Sequence, residues 1–229
     1  MPYIDDLVAG NPALRGLVNW LDDRLDIKGP IDYQLNKNVY APSISWTNCF
    51  GGISFTLFGV QVLTGILLAF YYQPGSNTSF ESIKYIMDTV HMGWLIRSIH
   101  AWSANLLIGT VFFHMARVYF AGAYKPPREF NWIVGIILLV LTIVIAFTGY
   151  LLPWNQLAYW ASQVGTHIAG TPPLAGPYVE YFLKGGEDLT TATINRFYAL
   201  HMLVLPALIG LLIGAHLLMI RRQGPSGGL

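Results

Sequence analysis

The sequence predicts an all-α membrane protein: a bundle of four transmembrane helices, preceded by a short surface helix and carrying interfacial helices in its last connection. Three observations predict this. Hydrophobic residues make up 54% of the 229 and charged residues only 11%, where a soluble domain carries about 25% charge. Four apolar runs, 45–72, 94–121, 132–152 and 196–220, are each long enough to cross a hydrocarbon core, which takes about 20 residues of helix. One connection, 153–195, is long, but no stretch reads as a soluble domain, so residues 1–229 are expected to form one domain.

The elements follow in order. Before the first run, NPALRGLVNWLDDRLDI sets Leu14, Leu17, Val18, Leu21 and Leu25 on one helical face and acids and arginines on the other. A helix so divided lies along a membrane surface. The first forty residues lack the basic-then-apolar layout of a signal peptide, so the N-terminus is expected on the cytoplasmic (n) side. The connection 153–195 contains PLAGP and KGGED, and within it NQLAYWASQVGTHIA reads as an interfacial helix with Tyr159 and Trp160 at headgroup depth.

Flanking cations give the orientation. The N-terminal segment (Arg15, Arg24, Lys28, Lys37), the second connection (Arg117, Lys125, Arg128) and the C-terminus (Arg221, Arg222) hold nine; the first and third connections hold four (Lys84, Arg97, Lys184, Arg196). Both termini and the second connection are therefore expected on the n side, the other two on the opposite (p) side. A net charge of +1 gives no reason to expect nucleic acid. The single cysteine, Cys49, rules out an internal disulfide and any Cys-x-x-Cys motif.

Histidines carry the chemistry. The second run holds His100 and His114, 14 residues apart; the fourth holds His201 and His216, 15 apart. Fourteen residues of helix rise about 21 Å and miss a whole number of turns by about 40°; fifteen miss by about 60° in the other sense. Each helix keeps both histidines on roughly one face, and opposed helices would offer two His–His pairs stacked across the bilayer. A single intramembrane histidine is more simply an interhelical hydrogen bonder, but four at matched depths are expensive in lipid and need partners.

The other two runs carry glycines at the same 14-residue interval, Gly51 with Gly65 and Gly135 with Gly149. Glycine admits a close neighbour, although close helix packing through small residues is the plainer reading of either pair alone. Two bis-histidine haems flanked by these glycines account for all eight positions together. Zinc would gather more ligands at one depth. Arg97, one turn before His100, and Arg117, one turn after His114, suit haem propionates; snorkelling to the headgroups is the alternative.

The strings WLDDRLDI, NCFGG, QVLTGILLAFYY, GWLIRSIHAWSA, HMARVYFAGAYKPPREFNW, FTGYLLPWNQLAYWA, RFYALH and HLLMIRRQGPSGGL resemble the N-terminal core of the cytochrome b family, in its short four-helix branch, over nearly the whole chain. The resemblance implies two b-type haems, ligated by His100 with His201 on the p side and His114 with His216 on the n side. It implies propionate contacts at Arg97, Arg117 and Arg128. It implies a further haem held through one thioether to Cys49. It also implies partners: a companion three-helix subunit completing the core, a Rieske iron–sulfur protein and a c-type cytochrome, in a dimeric complex of a bacterial plasma membrane or thylakoid. The implied activity is quinol:cytochrome c or plastocyanin oxidoreduction coupled to proton translocation, which this chain would not perform alone. Quinol oxidation is expected near residues 152–162 and quinone reduction near Cys49 and Arg221. A dihaem anchor of a dehydrogenase or reductase, without a bifurcated cycle, remains the alternative.

Overall fold

The computed structural model describes residues 8–25, 28–29 and 46–224. Lys37, the start of the first run at Ser45, and the last five residues lie outside the described residues. The chain divides into two compact units, 1–44 and 45–229.

In the first unit, helix α1 spans Pro12–Leu25. The Asn11 side chain caps it, accepting from the Ala13 and Leu14 amides at 3.1 and 3.2 Å, which satisfies two of the amides a helix start leaves unpaired. Leu14, Leu17 and Leu25 of the expected apolar face stand exposed.

The second unit is all helix among the described residues. After a 3₁₀ turn at Trp46–Asn48 come α2 (Cys49–Ala69), α3 (Ser79–Asp88), α4 (Gly93–Phe120), α5 (Glu129–Leu151), α6 (Gln156–Ala169), α7 (Gly176–Lys184), α8 (Thr191–Ala199), a π turn at Leu200–Val204, and α9 (Leu205–Gln223). The expected interfacial helix in the last connection is α6, started by Asn155 accepting from the Ala158 amide at 2.8 Å, and a second helix, α7, follows it. Helix α3, in the first connection, was not expected. Its C-terminal end meets the start of α4 so closely that a Cβ on Gly93 would overlap the Ile86 carbonyl.

Among the described residues, three helical stretches are long and apolar enough to cross a membrane: Trp46–Ala69, Glu129–Leu151 and Thr191–Gln223. The expected second span, α4, is the longest unbroken α-helix at 28 residues, about 42 Å. Arg97, His100, Asn105, His114 and Arg117 dilute its hydropathy and keep it outside that set. The last stretch runs unbroken through α8, the π turn and α9, so the fourth helix begins five residues before the expected 196.

The unit is packed inside out relative to a soluble protein. Ser54, Thr64, Ser103, Thr142 and Thr148 are buried, while Phe55, Leu63, Leu106, Phe113, Val140, Leu203 and Leu211 are exposed. Small and hydroxyl residues let helices approach closely, and large apolar ones face lipid. The buried hydroxyls are paired locally: Ser54 donates to Phe50 O, Ser103 to Ile99 O and Thr142 to Leu138 O, at 2.9, 2.6 and 2.8 Å. Across the α2–α4 contact, Ser54 Oγ also lies 2.9 Å from Thr110 Oγ1, so its one hydrogen is shared between that oxygen and Phe50 O, and Gln61 Nε2 donates to His100 O at 2.7 Å and Ser103 Oγ at 2.5 Å.

Candidate functional site

Two histidine pairs form where α4 faces the last helix. The rings of His100 and His201 lie with centres 6.3 Å apart, and those of His114 and His216 6.4 Å apart. This spacing discriminates between uses. A direct N–H···N bond would bring even collinear rings to about 5.3 Å between centres. An iron bound by both Nε2 atoms at about 2.0 Å, with each nitrogen about 1.2 Å from its ring centre, separates the centres by about 6.4 Å. Both pairs fit a metal between the rings and are too wide for a direct bond. Among the described residues, no three His, Cys, Asp or Glu gather as a metal cluster.

The first pair is oriented by the other ring nitrogen. His201 Nδ1 lies 2.9 Å from the Ile145 carbonyl and 3.2 Å from Thr148 Oγ1. A carbonyl only accepts, so Nδ1 carries the proton and Nε2 keeps its lone pair for a ligand. His100 Nδ1 lies 2.8 Å from Thr64 Oγ1. That hydroxyl donates its one hydrogen to Val60 O at 2.6 Å, so it accepts from the imidazole, and His100 takes the same tautomer. These protonation states are assigned from the hydrogen bonds. At the second pair the Asn131 carbonyl stands beside the His216 ring, but Nδ1 falls short of a full hydrogen bond.

Each glycine expected to admit a flat group faces one histidine. A Cβ on Gly51 would come 3.1 Å from His114 Cε1; on Gly65, 3.4 Å from His100 Cε1; on Gly135, 3.6 Å from His216 Cε1; on Gly149, 2.5 Å from His201 Cε1. The neighbour each glycine accommodates is an imidazole, which spacing alone did not reveal.

The unequal spacing has a local cause. His201 sits in the π turn, where the Leu205 amide bonds back five residues to Leu200 O. A π turn takes up one residue more than an α turn. The 15 residues from His201 to His216 therefore sweep about the angle that 14 sweep in α-helix, and both helices present their histidines with the same offset of about 40°. Pro206 follows the π turn directly; inside this continuous helix it has no amide hydrogen to give, so a carbonyl of the preceding turn goes without its backbone donor.

Of the expected carboxylate-binding arginines, Arg97 directs Nη1 to Met87 Sδ at 3.5 Å. Arg128 places Nη2 3.4 Å from both the Gln223 and Gly224 carbonyls, and Gln223 Nε2 donates to Pro127 O at 2.8 Å. Arg128 thus closes the end of α9 against the start of α5, a role the sequence did not suggest. Arg117 and Arg221 are half-buried on α4 and α9. Cys49 opens α2 and is exposed, half a turn before Gly51. In the last connection, Lys184 Nζ approaches Glu180 Oε1 at 2.6 Å and His167 Nδ1 approaches it at 3.6 Å. The Lys184 hydrogen bond above all, with His167 adding to it, holds the Glu180 carboxyl below its usual range.

The family model described as cytochrome b/b6/petB matches residues 35–224. A cytochrome b6 of Tupiella akineta is 43% identical over 213 residues, covering 93% of this chain and 99% of that protein. A cytochrome b6 of Heliobacterium modesticaldum is 46% identical over 211 residues, covering 91% and 99%. A solved structure titled hyperthermophilic respiratory complex III matches with a TM-score of 0.80 at 34% identity, covering 92% of this chain and 56% of that one.

Proposed function

The chain belongs to the cytochrome b/b6 family, and from that premise we propose that it is the haem-bearing subunit of a quinol oxidoreductase complex, carrying electrons across the membrane from p-side quinol oxidation to n-side quinone reduction, with coupled proton translocation. The single observation that carries the reading is the separation of 6.3 and 6.4 Å between the paired imidazole centres. His100 with His201 holds the p-side b haem, and His114 with His216 the n-side one. A haem at each pair supplies one-electron chemistry at iron. The residues do the rest: Thr64, Ile145 and Thr148 orient the p-side rings, the four glycines make room for the imidazoles, and the apolar outer faces of the helices keep water out. Arg97, Arg117 and Arg128 hold haem carboxylates, and Arg221 holds a quinone or a haem carboxylate on the n side.

Helix α4 is the fourth membrane span: its charged residues and histidines, Arg97, His100, His114 and Arg117, are those the site uses, and its length exceeds the bilayer core. Both termini lie on the n side. Cys49, exposed at the n-side start of α2, carries an additional haem through one thioether. A three-helix companion, a Rieske protein and a c-type cytochrome complete a dimeric complex. The test is His114→Ala in the membrane complex. One of two b haems should disappear from the reduced-minus-oxidised spectrum, with p-side reduction by quinol retained. Two intact b haems in an assembled His114→Ala complex would refute the pairing.

A further inference from the structure

The two ligand pairs differ in one respect that their shared geometry does not require. Helices α2 and α5 each carry two glycines, one turned to each pair. At the His100–His201 pair the residue before each glycine is threonine, Thr64 before Gly65 and Thr148 before Gly149; at the other pair the same places hold Phe50 and Val134. Both threonine hydroxyls reach the Nδ1 atom of the histidine that the adjacent glycine admits, at 2.8 and 3.2 Å. Each has given its own hydrogen to a helix carbonyl, Thr64 to Val60 O and Thr148 to Ile145 O, so each faces its histidine as an acceptor. Among the described residues, neither His114 nor His216 has a hydroxyl partner.

We propose that Thr64 and Thr148 are positioning residues that tune the p-side haem: by accepting from Nδ1–H they fix the ring and lower that haem's reduction potential, and among the described residues no hydroxyl acts in this way at His114 or His216. The physical reason is ligand basicity. An acceptor on Nδ1 pushes electron density toward Nε2, and a more basic ligand favours ferric iron. Tuning through the partners of a ligand, with the iron ligands unchanged, is a standard lever on haem potential. His201 has a second acceptor in Ile145 O at 2.9 Å, so Thr64, on which the His100 proton depends, carries the larger share. The inference rests on reading the histidines as iron ligands.

The experiment is a redox titration of the assembled complex in membranes, following haem absorbance and the low-spin ferric electron paramagnetic resonance signals. Thr64→Val keeps the shape and removes the acceptor. It should shift the ferrous-to-ferric ratio of the His100–His201 haem about tenfold towards ferrous at fixed ambient potential, about 59 mV for one electron, and leave the other haem where it was. Thr64→Ser should restore the original potential. An unshifted p-side potential in Thr64→Val, or an equal shift in Thr64→Ser, overturns the proposal. Should Thr64→Val fail to assemble, Thr148→Val reads the same claim at His201, where Ile145 O still holds the ring. A smaller shift in the same direction supports it, and none overturns it. Failure of the underlying site reading looks different: wild-type complex would then lack two low-spin bis-histidine signals.

Discussion

Alanine at each of the four site glycines separates an imidazole neighbour from a haem neighbour. In a helix, Gly→Ala gains about 1 kcal/mol from backbone propensity, and that gain is common to all four. What differs is the space. At Gly149 the new methyl would stand 2.5 Å from His201 Cε1 and 3.0 Å from Nδ1, at least about 1 Å inside an ordinary carbon–carbon contact of about 3.5–4.0 Å. The ring cannot easily yield, because Ile145 O holds it at 2.9 Å on one nitrogen and, on the proposed reading, an iron would hold the other. Overpacking of this kind costs about 1–3 kcal/mol, and the pinned ring puts Gly149→Ala at the upper end. The propensity gain is present with and without haem and cancels, which leaves about 2–3 kcal/mol against the haem-bound state, about 30–150-fold weaker retention. At Gly65 and Gly135 the methyl would sit at 3.4 and 3.6 Å, so alanine there should be neutral or stabilising. Gly51, at 3.1 Å, falls between. The assay is haem per complex by pyridine haemochrome, with difference spectra to identify which b haem is lost and a chaotrope series to rank retention. Equal impairment in all four variants would refute the reasoning, since it would mean that the glycines admit the haem face.

Two further outcomes follow from separate parts of the molecule. The denatured subunit, freed of its partners and acid–acetone extracted, should retain one haem mass; Cys49→Ser should abolish that mass and spare both b haems, and a wild-type subunit of bare polypeptide mass would refute the thioether. In the last connection, the Glu180–Lys184–His167 group should tether α7 to α6 across neutral pH. Because the folded carboxyl is held below its usual range of about 4.3, the tether is fully present above that range and is lost as pH falls through the depressed folded value. Protection of the α7 amides, taken relative to the intrinsic exchange rate at each pH, should therefore stay flat from pH 8 to about 5 and fall on further acidification; a fall that began near neutrality would refute the link to Glu180.

The membrane character of the fold and the pairing of the four histidines were legible because lipid makes polar residues conspicuous. A histidine in an apolar run stands out, and helical arithmetic is enough to ask which histidines share a face. What stayed hidden had a more ordinary explanation available. Helix α3 buries Ser79, Ser82 and Ile86, and two small hydroxyl residues do not register as an apolar stripe. Thr64 and Thr148 read as helix threonines bonding back to their own backbone, which they also do; only their places beside two of the four glycines hinted at more. Gln61, holding the carbonyl of a ligand histidine from the next helix, gave no signal at all. Arg128 was read for its charge alone, and its contacts with the carbonyls at the end of α9 had no signal in the sequence.

The π turn at Leu200–Val204 bears on how such chains can be compared. The quantity held constant between α4 and the last helix is the angular offset between two histidines, and the residue count is free to change provided a wider turn absorbs it. A relative whose corresponding histidines stand 14 residues apart need not have lost a residue from the bilayer-spanning α9. Its alignment gap belongs within 200–204, and a gap set anywhere between Leu205 and His216 would rotate one histidine of the last helix by about 100° relative to the other.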